Sequence, residues 1–200
     1  MSELPITTTR LLDQLQDAGQ QEAWSRFDER YRPVLTGFAR SLGLGDADAA
    51  DVAAWTLAEF LREFRAGKYQ RGRGRLRAWI IGIARNRSAM LRRAAARGHP
   101  SPLNSQADVP DDEAGLTIIW ERERQRVILD RALEELRRTT KADERTMRAF
   151  ELVALRGVPA EEAASQCGIS VDDVYIAKSR VTRRLREIVE RITSAYDEEA

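Results

Sequence analysis

Val158-Pro-Ala-Glu-Glu-Ala-Ala-Ser-Gln-Cys-Gly-Ile-Ser-Val-Asp-Asp-Val-Tyr-Ile-Ala-Lys-Ser-Arg-Val181 reads as two short helices folded over one tight turn. Pro159 suits a first helical turn, where a missing N–H costs nothing. Ala163, Ala164 and Cys167 are small enough for a crossing helix to approach closely. Gly168 supplies the left-handed backbone of the turn, and Ile169 plugs the space between the helices. Ser170 with Asp173 forms a capping box that starts the second helix. That helix turns Val174, Ala177, Val181, Leu185 and Ile188 to one side. Its other side carries Tyr175, Lys178, Ser179, Arg180, Arg183, Arg184 and Arg186, with no acid from Val174 to Arg186. The N-terminal part of such a helix reads base edges and its later arginines hold phosphates. Residues 160–187 therefore read as a helix-turn-helix, with Ser170, Tyr175, Lys178, Ser179, Arg180, Arg183 and Arg184 as candidate contacts to duplex DNA. A generic helical hairpin with a basic face is the competing reading, and the turn and cap together weigh against it.

Helical periodicity continues upstream. Thr8 or Thr9 caps a first helix striped by Leu11, Leu12 and Leu15. A second runs from about Glu22 to Leu42, with Trp24, Phe27, Tyr31, Leu35 and Phe38 at three- and four-residue spacing; Pro33 inside it predicts a kink or a short interruption. Asp46 or Asp48 caps a third helix to about Phe64, with Val52, Thr56, Phe60 and Phe64 in one register. A fourth, from about Leu76 to Arg97, turns Trp79, Ile80, Ile83 and Ala84 inward. From Gly98 the composition shifts: three prolines and the acids Asp108, Asp111, Asp112 and Glu113 mark a linker. Patterning returns near Leu116 with Ile119, Trp120, Val127, Ile128, Leu133 and Leu136, then from about Ala142 to Leu155. No strand-like alternation occurs. The expected fold is all-α in two small helical domains, 1–98 and 116–194, joined by a linker at 99–115 and followed by an acidic tail at 195–200.

Composition narrows the function. At 200 residues, 42% hydrophobic and 32% charged, the chain can bury a core and stay in water. No apolar run approaches the roughly 18–20 residues that span a bilayer, and Met-Ser-Glu-Leu-Pro lacks a secretory pattern, so a cytoplasmic protein is expected. One cysteine and one histidine, Cys167 and His99, leave no disulfide framework and no metal cluster. No glycine-rich phosphate loop follows a strand and no carboxylate pair converges, so neither an enzyme nor a cofactor is expected.

Net charge is only +1, but its distribution is uneven. From Arg62 to Gly98 there are twelve Arg and Lys against the single acid Glu63, a net +11. A block this rich in arginine suits phosphate and base contacts, where a merely solvated face carries both signs.

Four stretches in this order resemble an RNA polymerase sigma factor of the sigma-70 family, in the extracytoplasmic-function group that keeps only regions 2 and 4. Trp24-Ser-Arg-Phe-Asp-Glu-Arg-Tyr-Arg-Pro-Val-Leu resembles the opening of region 2, and Asp46-Ala-Asp-Ala-Ala-Asp-Val its polymerase-binding helix. Gly74-Arg-Leu-Arg-Ala-Trp-Ile-Ile-Gly-Ile-Ala-Arg-Asn resembles the promoter −10 segment, and Gly157 through Leu185 resembles region 4, which reads the −35 element. The resemblance implies core RNA polymerase as partner, through the clamp helices of β′ and the flap of β, together with promoter DNA. It implies melting contacts from Arg73, Arg75, Arg77, Arg85, Asn86 and Arg87. Asn86 is either a base-edge contact or a surface amide. Trp79 reads as core rather than a stacking platform, since it shares a register with Ile83. The linker's carboxylates either occupy an RNA path or are simply solvated.

One departure stands out. Where the family usually reads Asp-x-x-Gln-Glu, this chain has Asp51-Val-Ala-Ala-Trp-Thr, so Ala54 and Trp55 replace Gln and an acid. Asp51, Trp55 and Glu59 share a face, and with Asp48 they are the candidate polymerase contacts; if that face is outward, Trp55 either anchors the interface in place of the missing charge or rests against a neighbouring lobe in the free protein. In some groups of the family a Ser/Thr kinase supplies that charge, which makes Thr56 a candidate phosphosite; against it, Thr56 shares the core register of Val52 and Phe60. An anti-sigma factor is a further possible partner. The alternative functions are a free-standing helix-turn-helix regulator, which has no need of the basic block, and a protein that sequesters polymerase or another regulator without melting DNA.

Overall fold

The computed structural model describes residues 8–16, 19, 21–69, 76–98, 112–140 and 142–196. These form eight α-helices and one π-helical turn, with no strand among them. In order they are α1 (Thr8–Leu15), α2 (Gln21–Ser41), α3 (Asp46–Arg65), α4 (Leu76–Gly98), α5 (Glu113–Thr139), α6 (Glu144–Phe150), a π turn (Glu151–Leu155), α7 (Ala160–Cys167) and α8 (Val171–Ser194). The chain separates into two compact units that meet within α5: 6–127 and 128–196.

The first unit is built on aromatic stripes. Phe27, Tyr31, Leu35, Phe38 and Leu42 of α2 are buried, as are Val52, Thr56, Phe60 and Phe64 of α3. Both stripes follow from side chains three and four residues apart sharing a helix face. Phe27 stacks on Phe60 with centroids 4.9 Å apart and rings 10° from parallel. Pro33 does not interrupt α2, which runs unbroken from Gln21 to Ser41 with Pro33 exposed. The N-cap of α3 is Gly45 rather than Asp46 or Asp48. Both aspartates lie in the first helical turn, where negative charge suits the helix dipole, and Asp46 pairs with Arg40 at 2.7 Å.

The boundary between units departs from the expected one. The first half of α5, anticipated as linker end and second-domain start, belongs to the first unit. Leu116, Ile119, Trp120 and Val127 are buried there. Trp120 lies 6.3 Å from the Tyr31 ring and 6.0 Å, edge-on, from Phe38. One turn on, the buried carboxylate of Glu123 accepts a hydrogen bond from Ser41 Oγ at 2.9 Å and pairs with Arg126 at 3.1 Å. Gly37 makes room for it: a Cβ at that position would stand 2.4 Å from Glu123 Oε2. Residues 99–111, the rest of the expected linker, lie outside the described residues, as does 197–200 of the tail.

The second unit packs around two small cores. Ala149, Leu152, Ala160, Ala163, Ala164, Cys167 and Val174 form one, and Ala132, Leu136, Phe150, Val181 and Ile188 the other. Its α6 begins two residues later than expected, behind Asp143, whose carboxylate accepts the Thr146 N–H at 2.7 Å. That hydrogen bond, more than any nearby charge, holds the Asp143 carboxyl below its usual range. No helix among the described residues is long and apolar enough to cross a membrane, and none of their side chains group as a metal site.

Candidate nucleic-acid interface and docking face

The helix-turn-helix of the second unit is shaped by local rules. α7 ends at Gly168 in the left-handed region, φ 65° and ψ 39°, a conformation that costs an L side chain roughly 1–2 kcal/mol. Ile169 then donates its N–H to Ala164 O at 3.2 Å and packs against the first small core. Ser170 caps α8: its Oγ accepts from Asp173 N at 3.1 Å and donates to the Asp173 carboxylate at 2.7 Å. This meets the expected capping box and also redefines Ser170, whose hydroxyl is engaged in starting the helix.

Val174, Ala177, Val181 and Ile188 of α8 are buried. Tyr175, Lys178, Ser179, Arg180, Arg183 and Arg184 are exposed, as expected. Arg184 pairs with Glu187 at 2.9 Å. Among the described residues no ion pair is formed by Lys178, Arg180 or Arg183, so their charge is presented to solvent. Ile176, not among the expected contacts, is 46% exposed on this polar face. Its signal was that it falls outside the buried 174–177–181–188 stripe.

In the first unit, α3 presents Asp48 and Asp51, both exposed, and Trp55, 40% exposed. Glu59 stands on the same face, but Arg62 Nε donates to its carboxylate at 2.9 Å. That bond, with the nearby charge of Arg62 and Lys68, lowers the carboxyl's pKa. Trp55 is not alone: the Arg87 guanidinium of α4 sits over its ring, 5.1 Å from the centroid. Arg87 also approaches the Met90 sulfur at 4.0 Å, and Met90 is itself exposed. The outward face of α3 thus continues onto α4 as a tryptophan, a guanidinium and a thioether. Thr56 points the other way, fully buried, and its hydroxyl has no hydrogen-bond partner. A phosphate there would require α3 to leave the core.

The residues anticipated on α4 are dispersed in role. Asn86 is exposed and Arg85 half-buried. Arg77 is ion-paired with Glu121 of α5, which also pairs with Arg124 at 2.7 Å. Arg73 and Arg75 lie outside the described residues. Trp79 and Ile83 are half-buried, while Ile81, not anticipated, is buried beside Ile80 and Ala84. Trp79 stacks on Tyr69 at 5.3 Å, 10° from parallel, and meets Phe60 edge-on at 5.3 Å. With Phe64 these rings close a cycle of four, since Phe64 lies 5.6 Å from Phe60 and 6.0 Å from Tyr69. Trp79 is therefore a wall of the core with one side left open.

Residues 27–98 match the family model for Sigma-70 region 2. No curated protein sequence matches the chain. Among solved structures the chain is similar to CnrH in a structure of CnrH in complex with the cytosolic domain of CnrY. The two are 22% identical over 90% of this chain and 95% of that chain, with a TM-score of 0.36.

Proposed function

We propose, on the match of residues 27–98 to the Sigma-70 region 2 model, that the chain is a sigma-70-type initiation factor of the extracytoplasmic-function group. In this reading it binds core RNA polymerase and directs it to particular promoters. Residues 8–127 dock on polymerase and open the −10 element, and the helix-turn-helix reads the −35 element as duplex. The observation that carries the reading is a pairing within one chain. A sigma-70 region 2 is followed by a capped helix whose exposed face has five cations and no acid between Val174 and Arg186.

The chemistry follows from the geometry. The N-terminal turns of α8 face base edges, while Arg183, Arg184 and Arg186 hold phosphates and fix register. Asn86, exposed on α4, offers a polar group to a base edge of single-stranded DNA, with Arg85 next to it in the chain as a cation for the backbone, while Arg87 is engaged on Trp55. Arg77 serves the fold first, through Glu121. Docking on the β′ clamp helices rests on Asp48, Asp51 and above all Trp55, because Glu59 is already paired. The β flap, an anti-sigma factor and a kinase are further candidate partners.

Purified chain added to core polymerase on a promoter library tests the proposal. Transcripts that begin at shared −35 and −10 sequences and vanish without the chain are the expected result. Silence on every template with duplex binding intact overturns it in favour of a free-standing regulator. Polymerase binding without duplex binding favours sequestration instead.

A further inference from the structure

Tyr175 and Ile176 are the two large hydrophobic side chains that α8 leaves exposed, at 54% and 46%. Tyr175 carries a hydroxyl and sits comfortably on a polar face. Ile176 has no polar atom beyond its backbone, and it stands among Asp172, Ser179 and Arg180, its neighbours three and four residues away on the same face. It contributes nothing to the buried stripe of Val174, Ala177, Val181 and Ile188.

Its address is informative. α8 begins at Val171 behind the Ser170 cap, so Ile176 is in the second helical turn. One turn before it, the exposed Asp172 would be repelled by phosphate. One turn and more after it come Arg180, Arg183, Arg184 and Arg186. A helix charged in this way lies with its arginine-rich end against the backbone and its N-terminal turns over base edges. In the major groove the one base feature an aliphatic side chain recognises is the C5-methyl of thymine. The other edges offer donors and acceptors, which an isoleucine would desolvate without pairing.

We propose that Ile176 selects thymine, packing against its 5-methyl group in the major groove of the duplex bound by α8. This rests on the reading of α8 as a −35 recognition helix and adds a specificity residue to it. Removing one methyl from such a contact weakens binding about three- to fivefold.

The experiment selects duplexes from a randomised library with the full chain, alone and with core polymerase. Each thymine of the best duplex is then replaced singly by uracil, which deletes only the methyl. The wild-type chain is expected to lose about three- to fivefold at one or two positions. Ile176→Ala is expected to bind thymine and uracil duplexes equally there, and Ile176→Val to keep most of the discrimination. Because the side chain is exposed, unchanged thermal melting confirms that the variants fold. An identical uracil penalty in wild type and Ile176→Ala, or none in either, overturns the proposal while the recognition helix stands. A variant that loses polymerase binding with its base preference intact assigns Ile176 to a protein contact, and also overturns it. If no duplex is enriched under either condition, the recognition-helix reading itself falls and this inference falls with it.

Discussion

Replacing Trp55 by Ala should weaken binding to core RNA polymerase by about 10- to 70-fold. A tryptophan buries about 150–250 Å² when covered, and with 40% of Trp55 exposed about 60–100 Å² remains for a partner to cover. At about 25 cal/mol per Å² this amounts to about 1.5–2.5 kcal/mol, which gives the stated range. Arg87 reports on the same patch. Its guanidinium stacks on the ring, a contact of about 0.5–1 kcal/mol at an exposed site, so Arg87→Met should lose no more than about fivefold. Trp55→Phe should restore most of the affinity lost in the alanine variant. Fluorescence titration of labelled core polymerase measures all three, with thermal melting as the check on folding. If Trp55→Ala binds within twofold of wild type while remaining folded, hydrophobic anchoring has not replaced the missing acid. Docking would then rest on Asp48 and Asp51.

Three further expectations follow from the geometry. The unpartnered, buried Thr56 hydroxyl makes Thr56→Val neutral or up to about 1 kcal/mol stabilising, while Thr56→Glu buries a charge and should unfold the first unit or nearly so. A folded and more active Thr56→Glu variant, seen in denaturant melts and run-off transcription, would refute the core role and revive phospho-activation. Nothing crowds a Cβ at Gly168, so Gly168→Ala should cost only the left-handed backbone, about 1–2 kcal/mol. Ser170→Ala should cost about 0.5–2 kcal/mol from the lost cap, and urea unfolding of the second unit measures both. The Asp143 carboxyl titrates below its unfolded value, so its contribution is complete above that ordinary value and disappears as pH falls through the lowered one. Asp143→Asn keeps a capping oxygen without titrating, and its melting temperature should therefore be less sensitive to pH in the acid range than that of wild type.

What could be read in the sequence was what neighbouring residues decide among themselves. The Val52–Thr56–Phe60–Phe64 register and the Gly168–Ser170–Asp173 turn depend on spacings of two to four residues, and both are present. Other features are decided by distant partners. Glu123 is buried because Ser41 and Gly37, more than eighty residues earlier, receive it. Arg77 is neutralised by Glu121, and Trp55 is covered in part by Arg87. Nothing in a local window distinguishes an arginine awaiting phosphate from one already paired. The same reason misplaced the domain boundary: prolines and acids report where the chain is solvated, not which unit covers the helix that follows. Ile176 was passed over for a simpler cause, since a lone apolar residue on a charged face looks like noise until its exposure is known.

The seat of Glu123 against Gly37 also bears on how such chains exchange parts in evolution or in the laboratory. A crossover at the compositional break after residue 98 would join one parent's α2 to the other parent's α5. Any parent with a side chain at position 37 would then meet a carboxylate 2.4 Å from its Cβ. The heritable N-terminal module therefore includes the α5 segment through Val127, and positions 37 and 123 should be inherited as a pair. Swaps cut just after Val127, ahead of the Ala132 and Leu136 contacts of the second core, should yield folded hybrids, whereas swaps cut in the proline-rich stretch force the Glu123 side chain to move wherever position 37 carries a side chain.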